Sequence, residues 1–165
     1  GGGALMSKHL RQDLTYDAPL AAVAAMLADP AFREEVCERQ RVLRHDVRVD
    51  STGEATEVRI EQVQDAAGIP SFAKKLIGDE ITIVQEERWA SPEAGDITVT
   101  IPGKPGDMRG TATLAESGGV TTETVDLTVK VSIPLVGGKV EGLVADMLRK
   151  ALLVENKVGR DYLSR

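Results

Sequence analysis

The stretch from Pro134 to Tyr162, PLVGGKVEGLVADMLRKALLVENKVGRDY, most constrains what this chain can fold into. Val140, Val144, Met147, Ala151, Val154, Val158 and Tyr162 recur at intervals of three and four residues. At about 100° per residue they share one face, widened by Val136, Leu143 and Leu148. Lys139, Asp146, Arg149, Lys150, Lys157 and Arg160 fall largely on the other side. The spacing predicts a long amphipathic helix that needs a broad apolar surface to lie on. The chain ahead of it is mostly strand-like, so that surface is predicted to be a sheet.

Read in order, Lys8 to Asp17 alternates Leu10, Gln12, Leu14 and Tyr16 with polar residues, as a strand with one buried side does. Asp17 and Pro19 suit a helix start, Asp17 as the cap. A short stripe of Leu20, Val23, Ala24 and Leu27 follows, then a second short helix, Ala31 to Gln40, that carries Phe32, Val36 and Cys37 inward. About six strands come next. They are marked by Leu43–Val49, Thr56–Gln62, Ile81–Trp89, Ile97–Ile101, Met108–Leu114 and Val125–Val131, with turns at Ser51-Thr52-Gly53, Pro102–Gly106 and Ser117-Gly118-Gly119. Short strands at close spacing imply an antiparallel meander. The predicted architecture is α+β: a curved antiparallel sheet of about seven strands wrapped around one C-terminal helix, with two short helices after the first strand. Gly1 to Leu5 read as an appended remnant ahead of a natural start at Met6, leaving residues 6–165 as a single domain.

This order of elements resembles the helix-grip fold of the START-like (SRPBCC) superfamily, which includes ligand carriers, lipid-transfer domains and polyketide cyclases. The segments IPSFAKKLIGDE (Ile69–Glu80), VQEERW (Val84–Trp89) and IPLVGGKVEGLVADML (Ile133–Leu148) resemble an uncharacterised actinobacterial branch of it. The resemblance implies a cavity between sheet and helix. It implies no catalytic motif, and a fold shared by carriers and enzymes does not choose between them.

Composition removes several functions. Aromatic residues make up 3% of the chain and the formal net charge is −6, which leaves neither base-stacking platforms nor the positive field that nucleic-acid binding requires. One cysteine, Cys37, forms no internal disulfide and suits a reducing compartment, so the expected location is the cytoplasm. Glu34, Glu35 and Glu38 beside it disfavour a thiolate. Cys-x-x-Cys, His-Glu-x-x-His, Gly-x-Ser-x-Gly and a phosphate-binding glycine loop are all missing from the sequence, and no metal or cofactor is assigned.

The sheet face turned toward the helix is predicted to present Gln12, His45, Gln62, Gln85 and Glu87 among apolar neighbours. A buried polar group without a partner costs of order 1–3 kcal/mol, so each needs a protein, ligand or water partner. An apolar cavity with a few polar anchors is the usual make-up of a small-molecule site. Its apolar walls are predicted from Val58, Ile60, Ile83, Trp89, Val99 and Met108 on strands and Leu143, Met147 and Ala151 on the helix. A one-residue slip of any strand turns its polar residues outward instead. His45 and Glu87 are the one evident acid/base pair, with a structural histidine as the alternative. Glu155 falls inside the apolar arc, either as a ligand anchor or paired to a basic neighbour. Ile69, Phe72 and Leu76 beside Lys74 and Lys75 form an apolar and basic loop, readable as a lid with at most transient membrane contact, or as packing over one sheet end. Gly137, Gly138 and Gly142 loosen the start of the long helix, as a gate or as a frayed terminus.

Three functions remain open at this stage. The first is binding of a hydrophobic small molecule or lipid, by a monomer or weak dimer. The second is a polyketide cyclase or dehydratase using His45 and Glu87. The third is an interaction module with a filled core, docking through a strand edge or the off-stripe Leu153.

Overall fold

The computed structural model describes residues 7–133 and 135–165. Gly1 to Met6, and with them the expected remnant and start, lie outside the described residues, as does Pro134. The elements run β1 (Lys8–Tyr16), α1 (Leu20–Leu27), α2 (Pro30–Arg39), β2 (Arg44–Thr52), β3 (Ala55–Asp65), α3 (Ser71–Ile77), β4 (Glu80–Ser91), β5 (Ala94–Thr100), β6 (Asp107–Ser117), β7 (Val120–Lys130) and α4 (Gly137–Leu163). The strands form one antiparallel sheet in the order β1-β7-β6-β5-β4-β3-β2. Hairpins join β2 to β3 and β4 through β7 in succession, and β1 crosses over to pair with β7. This is the α+β helix-grip architecture that the alternation and the long stripe predict.

The strand periodicity decides the two faces. Leu10, Leu14 and Tyr16 of β1, Ile97 and Val99 of β5, Met108, Ala112 and Leu114 of β6, and Val125, Leu127 and Val129 of β7 are all buried in one core. Burying one such aliphatic side chain is worth about 1.5–3 kcal/mol. Helix α4 closes that core, packing chiefly over β1 and against α2, and less over β7 and α1. Its buried residues are Glu141 and Ala145 in the first half and Glu155, Val158 and Gly159 in the second. A Cβ at Gly159 would stand 2.7 Å from Tyr16 Cε1 and 3.1 Å from Met26 Cε, so only a bare α-carbon lets the helix lie this close to β1 and α1.

Several local expectations are corrected. Asp17 does not cap α1: Pro19 is the N-cap residue and no side chain caps the helix. The Leu20 N–H is met instead by Glu116 Oε1, 2.7 Å away at the end of β6. Asp29 does cap α2, accepting from Ala31 N at 2.9 Å, with Pro30 in the first turn where its missing N–H costs nothing. The segment expected as a loop from Ile69 contains a helix, α3. The excursion around it is closed by Ala66 N donating to Asp79 O at 2.9 Å. Among the described residues no helix is long and apolar enough to cross a membrane.

Candidate functional site

Two features converge between the sheet and α4: a buried charge cluster and a string of small compartments. The cluster is built from five elements. Arg33 of α2, Glu87 of β4, Glu123 of β7 and Glu155 of α4 are 2%, 4%, 3% and 9% exposed, and the Tyr16 ring of β1 lies among them fully buried. Arg33 reaches Glu87 through a bidentate pair, Nη1 to Oε2 at 3.0 Å and Nη2 to Oε1 at 2.9 Å. Its Nη1 also donates to Glu155 Oε1 at 3.3 Å, and its Nε donates to Leu27 O at 2.8 Å. Glu87 accepts further from Trp89 Nε1 at 2.9 Å and from Gln85 Nε2. A buried ion pair stands only when its partners are this fully hydrogen-bonded.

The cluster holds three carboxyls against one guanidinium, and the surroundings sort them. Burial pushes Glu87 upward, but the Arg33 charge and the hydrogen bonds from Arg33, Trp89 and Gln85 outweigh it and hold the carboxyl below its ordinary value. Burial raises Glu155; Arg33 works against the rise and the charge of Glu87 adds to it, leaving Glu155 at about 7. Glu123 is pushed well above the usual carboxylate range by burial and then by Glu155 and Glu87. Its Oε1 and the Tyr16 hydroxyl have no hydrogen-bond partner among the described residues. Burial, followed by Glu155 and Glu123, keeps the Tyr16 phenol protonated. Burial also pushes the Cys37 thiol up, against a hydrogen bond from Gln62.

The compartments continue from this cluster toward α3. The first, about 60 Å³, is bounded by Arg33, Cys37, Gln40, Gln62, Gln85 and Glu155 and by apolar residues including Ile60, Val99, Leu148 and Ala151. The second, about 100 Å³, shares Gln40, Gln62, Gln85, Val99, Leu148 and Ala151 with it and adds Ile83, Met108, Val144 and Met147. The third, about 50 Å³, shares Met108, Val144 and Met147 with the second and is closed by Ile69, Ala73 and Leu76 on the α3 side and by Val140 and Leu143 of α4. The walls are overwhelmingly apolar, with the glutamines collected at the end nearest the charges.

Of the residues expected at a ligand site, Ile60, Gln62, Ile83, Gln85, Val99, Met108, Leu143, Met147 and Ala151 therefore line compartments. The others do not. Gln12 lies on the outermost strand, where it accepts from Arg149 Nη1 at 2.8 Å. Val58 packs with Cys37 and Ile60 in a separate small apolar cluster. Trp89 borders a different hollow, beneath α1. His45 shares the face of Val47 and Val49 but is exposed: α2 packs over those two valines, whereas His45 lies at the start of the edge strand β2. His45 is in register with Gln62 and Ile83, whereas Glu87 is in register with Val58 and Val49, so the expected acid/base pair is not assembled. Ile69 and Leu76 border the third compartment, while Phe72 faces solvent, 39% exposed.

Sequence reasoning missed Arg33 and Glu123, and each carried a signal. Arg33 follows Phe32 and precedes Val36 by three residues, which places it on the buried face of α2. Glu123 continues the alternation of Val125, Leu127 and Val129 backwards along β7. Glu155 pairs with a basic residue, Arg33, as one of its two readings has it, and it also borders the first compartment.

The family described as "Protein of unknown function (DUF2505)" matches residues 11–163. An uncharacterised protein of Mycobacterium tuberculosis is 31% identical over 116 residues, a match that spans 66% of this chain and 66% of the relative's own length. Among solved structures, the Zhui aromatase/cyclase of a Streptomyces species superposes with a TM-score of 0.66 at 13% identity, covering 97% of this chain and 95% of that one. A START superfamily protein of Mycobacterium smegmatis superposes with a TM-score of 0.56 at 14% identity, covering 91% and 96%. At these identities the likeness is one of fold.

Proposed function

We propose, from the premise that the chain belongs to the DUF2505 family, that it binds a hydrophobic small molecule or lipid in the space between the sheet and α4. The observation that carries this reading is the row of compartments with shared apolar walls and one polar end. Ordinary ligand sites have this composition, at about 300–1,000 Å³. The separate compartments are smaller, so occupancy requires them to merge. Met108 and Met147 stand in the wall between the second and third compartments, and unbranched thioether side chains rotate aside at small cost. Apolar ligand surface buried at about 25 cal/mol per Å² then drives association without any special motif. The lone buried thiol of Cys37 suits the reducing cytoplasm in which we expect the protein to act.

Native mass spectrometry of the protein from its own host, followed by organic extraction, tests this directly. A stoichiometric lipid-like mass supports the reading. The variant Ala151→Trp fills the junction of the first two compartments and should lose that mass while keeping its fold by circular dichroism. Wild-type protein that returns empty, and stays empty when offered fatty alcohols, sterols, quinones and polyketides, would sink it.

A second reading is proton-transfer catalysis on a bound substrate, of the cyclase or dehydratase kind. Glu155 favours it over the His45 and Glu87 pair, because a carboxyl held at about 7 beside a cavity gives and takes protons near neutrality. Turnover of an unsaturated ligand that survives Glu155→Gln unchanged would dispose of this assignment.

A further inference from the structure

We infer that the charged end of the cavity recognises an amphiphile by accepting hydrogen bonds from its head, selecting a hydroxyl or an amine and refusing carboxylates and phosphates. The inference deepens the cavity reading above and rests on it.

Of the titratable groups at this end, Arg33 and Cys37 of α2 and Glu155 of α4 line the first compartment, while Tyr16 of β1, Glu87 of β4 and Glu123 of β7 belong to the same buried cluster without lining it. Arg33 is the one cation among them, and four of its five N–H groups are already committed to Glu87, Glu155 and the Leu27 carbonyl. An acid head entering the first compartment would therefore meet the Glu155 carboxyl with no free counter-charge to offset it. Burying an unpaired charge of that kind is strongly unfavourable even after relaxation.

Acceptors, by contrast, are left over. Glu155 gives Oε1 to Arg33 at 3.3 Å, and its other oxygen has no hydrogen-bond partner among the described residues. Gln40 borders the first and second compartments, and its buried Oε1 is likewise without a partner. The Gln62 and Gln85 amides each spend an N–H on the protein, on Cys37 Sγ at 3.3 Å and on Glu87. A ligand O–H or N–H placed against Gln40 Oε1 would satisfy a buried acceptor that the protein itself leaves open, with the Glu155 carboxyl bordering the same compartment. An ammonium head would in addition take the place of the proton that Glu155 otherwise holds.

The experiment uses one chain length and three heads: decanol, decylamine and decanoate, each displacing N-phenyl-1-naphthylamine from wild-type protein at neutral pH. Decanol and decylamine are expected to compete at concentrations about tenfold or more below decanoate, roughly 1.4 kcal/mol of discrimination. Glu155→Gln keeps the shape and an acceptor but removes the charge, so decylamine should lose most of its advantage over decanoate while decanol changes little. Gln40→Leu should weaken decanol and leave the decanoate value unmoved, and melting curves check that both variants fold. Decanoate binding as tightly as the other two overturns the head-group inference and leaves the cavity reading standing. Discrimination undiminished in Glu155→Gln overturns the role given to Glu155. Probe and ligands all failing to bind wild-type protein overturns the cavity reading and this inference with it.

Discussion

Arg33 is committed at almost every N–H, and removing it would strand Glu87 in the core with two further carboxyls nearby. Arg33→Met should therefore destabilise by roughly 3–5 kcal/mol in urea denaturation, the cost of an uncompensated buried charge rather than of lost packing. The double replacement Arg33→Met with Glu87→Leu should regain most of that loss, which a packing origin would not allow. Glu155 makes a different prediction. Its carboxyl moves from an ordinary 4.5 to about 7 in the folded chain, so between those values the folded state holds more proton than the unfolded state. Its contribution to stability is complete below 4.5 and is lost as the pH rises through about 7. Glu87, held below its ordinary value, works the other way and contributes above that value, its share being lost in acid. Melting temperature should thus fall as pH is raised from mildly acidic to mildly basic, and Glu155→Gln should flatten that slope. An unchanged slope would show that Glu123 or another group sets it.

At the scale of elements, α4 is two helices in character. Its first turns carry Gly137, Gly138 and Gly142, the N-cap residue Val136 contributes no side-chain bond, and the side-chain anchor there is the buried Glu141 carboxylate, which accepts from Val131 N at 2.7 Å. Its last turns are pinned by Val158 and Gly159 against Tyr16 and Met26, by Arg160 and Asn156 on the Thr15 carbonyl, and by the Tyr162 ring edge-on to Phe32 at 5.5 Å. Each glycine in a helix interior costs about 1 kcal/mol relative to alanine, so local opening belongs to the N-terminal half. Amide hydrogen exchange should be faster over Val140–Met147 than over Val154–Tyr162, and ligand should slow the first segment selectively. Uniform protection along α4 would argue that access to the compartments runs elsewhere, with α3 the next candidate.

For the whole molecule, the sheet leaves β1 and β2 as outer strands. On β2 the residues Arg44, Asp46, Arg48 and Asp50 are all exposed, and charges of alternating sign along an edge discourage strand-to-strand association. We expect a monomer on that ground, which sedimentation equilibrium checks. Ligand binding to the folded state alone should stabilise the whole domain by roughly 2.7 kcal/mol at a hundred times Kd, read as a rise in melting temperature. Trp89 lies under α1 with its indole N–H on Glu87, away from the compartments, so its fluorescence should follow the charge cluster and respond little to ligand. A binding-linked rise in Tm without a large Trp89 signal is the combined expectation.

The fold was legible in the chain because it rests on periodicity. A stripe of three- and four-residue spacing made α4, period-two alternation made the strands, and their order left one arrangement of sheet and helix. The apolar lining was legible for the same reason: Ile60, Ile83, Val99, Met108, Met147 and Ala151 each sit on the face their period assigns. Which polar residues meet was decided by the tertiary structure alone. Arg33, Glu87, Glu123 and Glu155 lie far apart in sequence on four elements, and only crossing α2 and α4 over the sheet brings Arg33 into hydrogen bonds with Glu87 and Glu155 and sets Glu123 beside their charges. His45 obeys the same alternation as Glu87, yet it ends exposed at the start of β2 while α2 covers Val47 and Val49 further along, and that cover is set by how the helix crosses the sheet rather than by the strand's own residues. Local pattern determines which way a side chain faces; what it faces, and hence its charge at neutral pH, is a property of the assembled core.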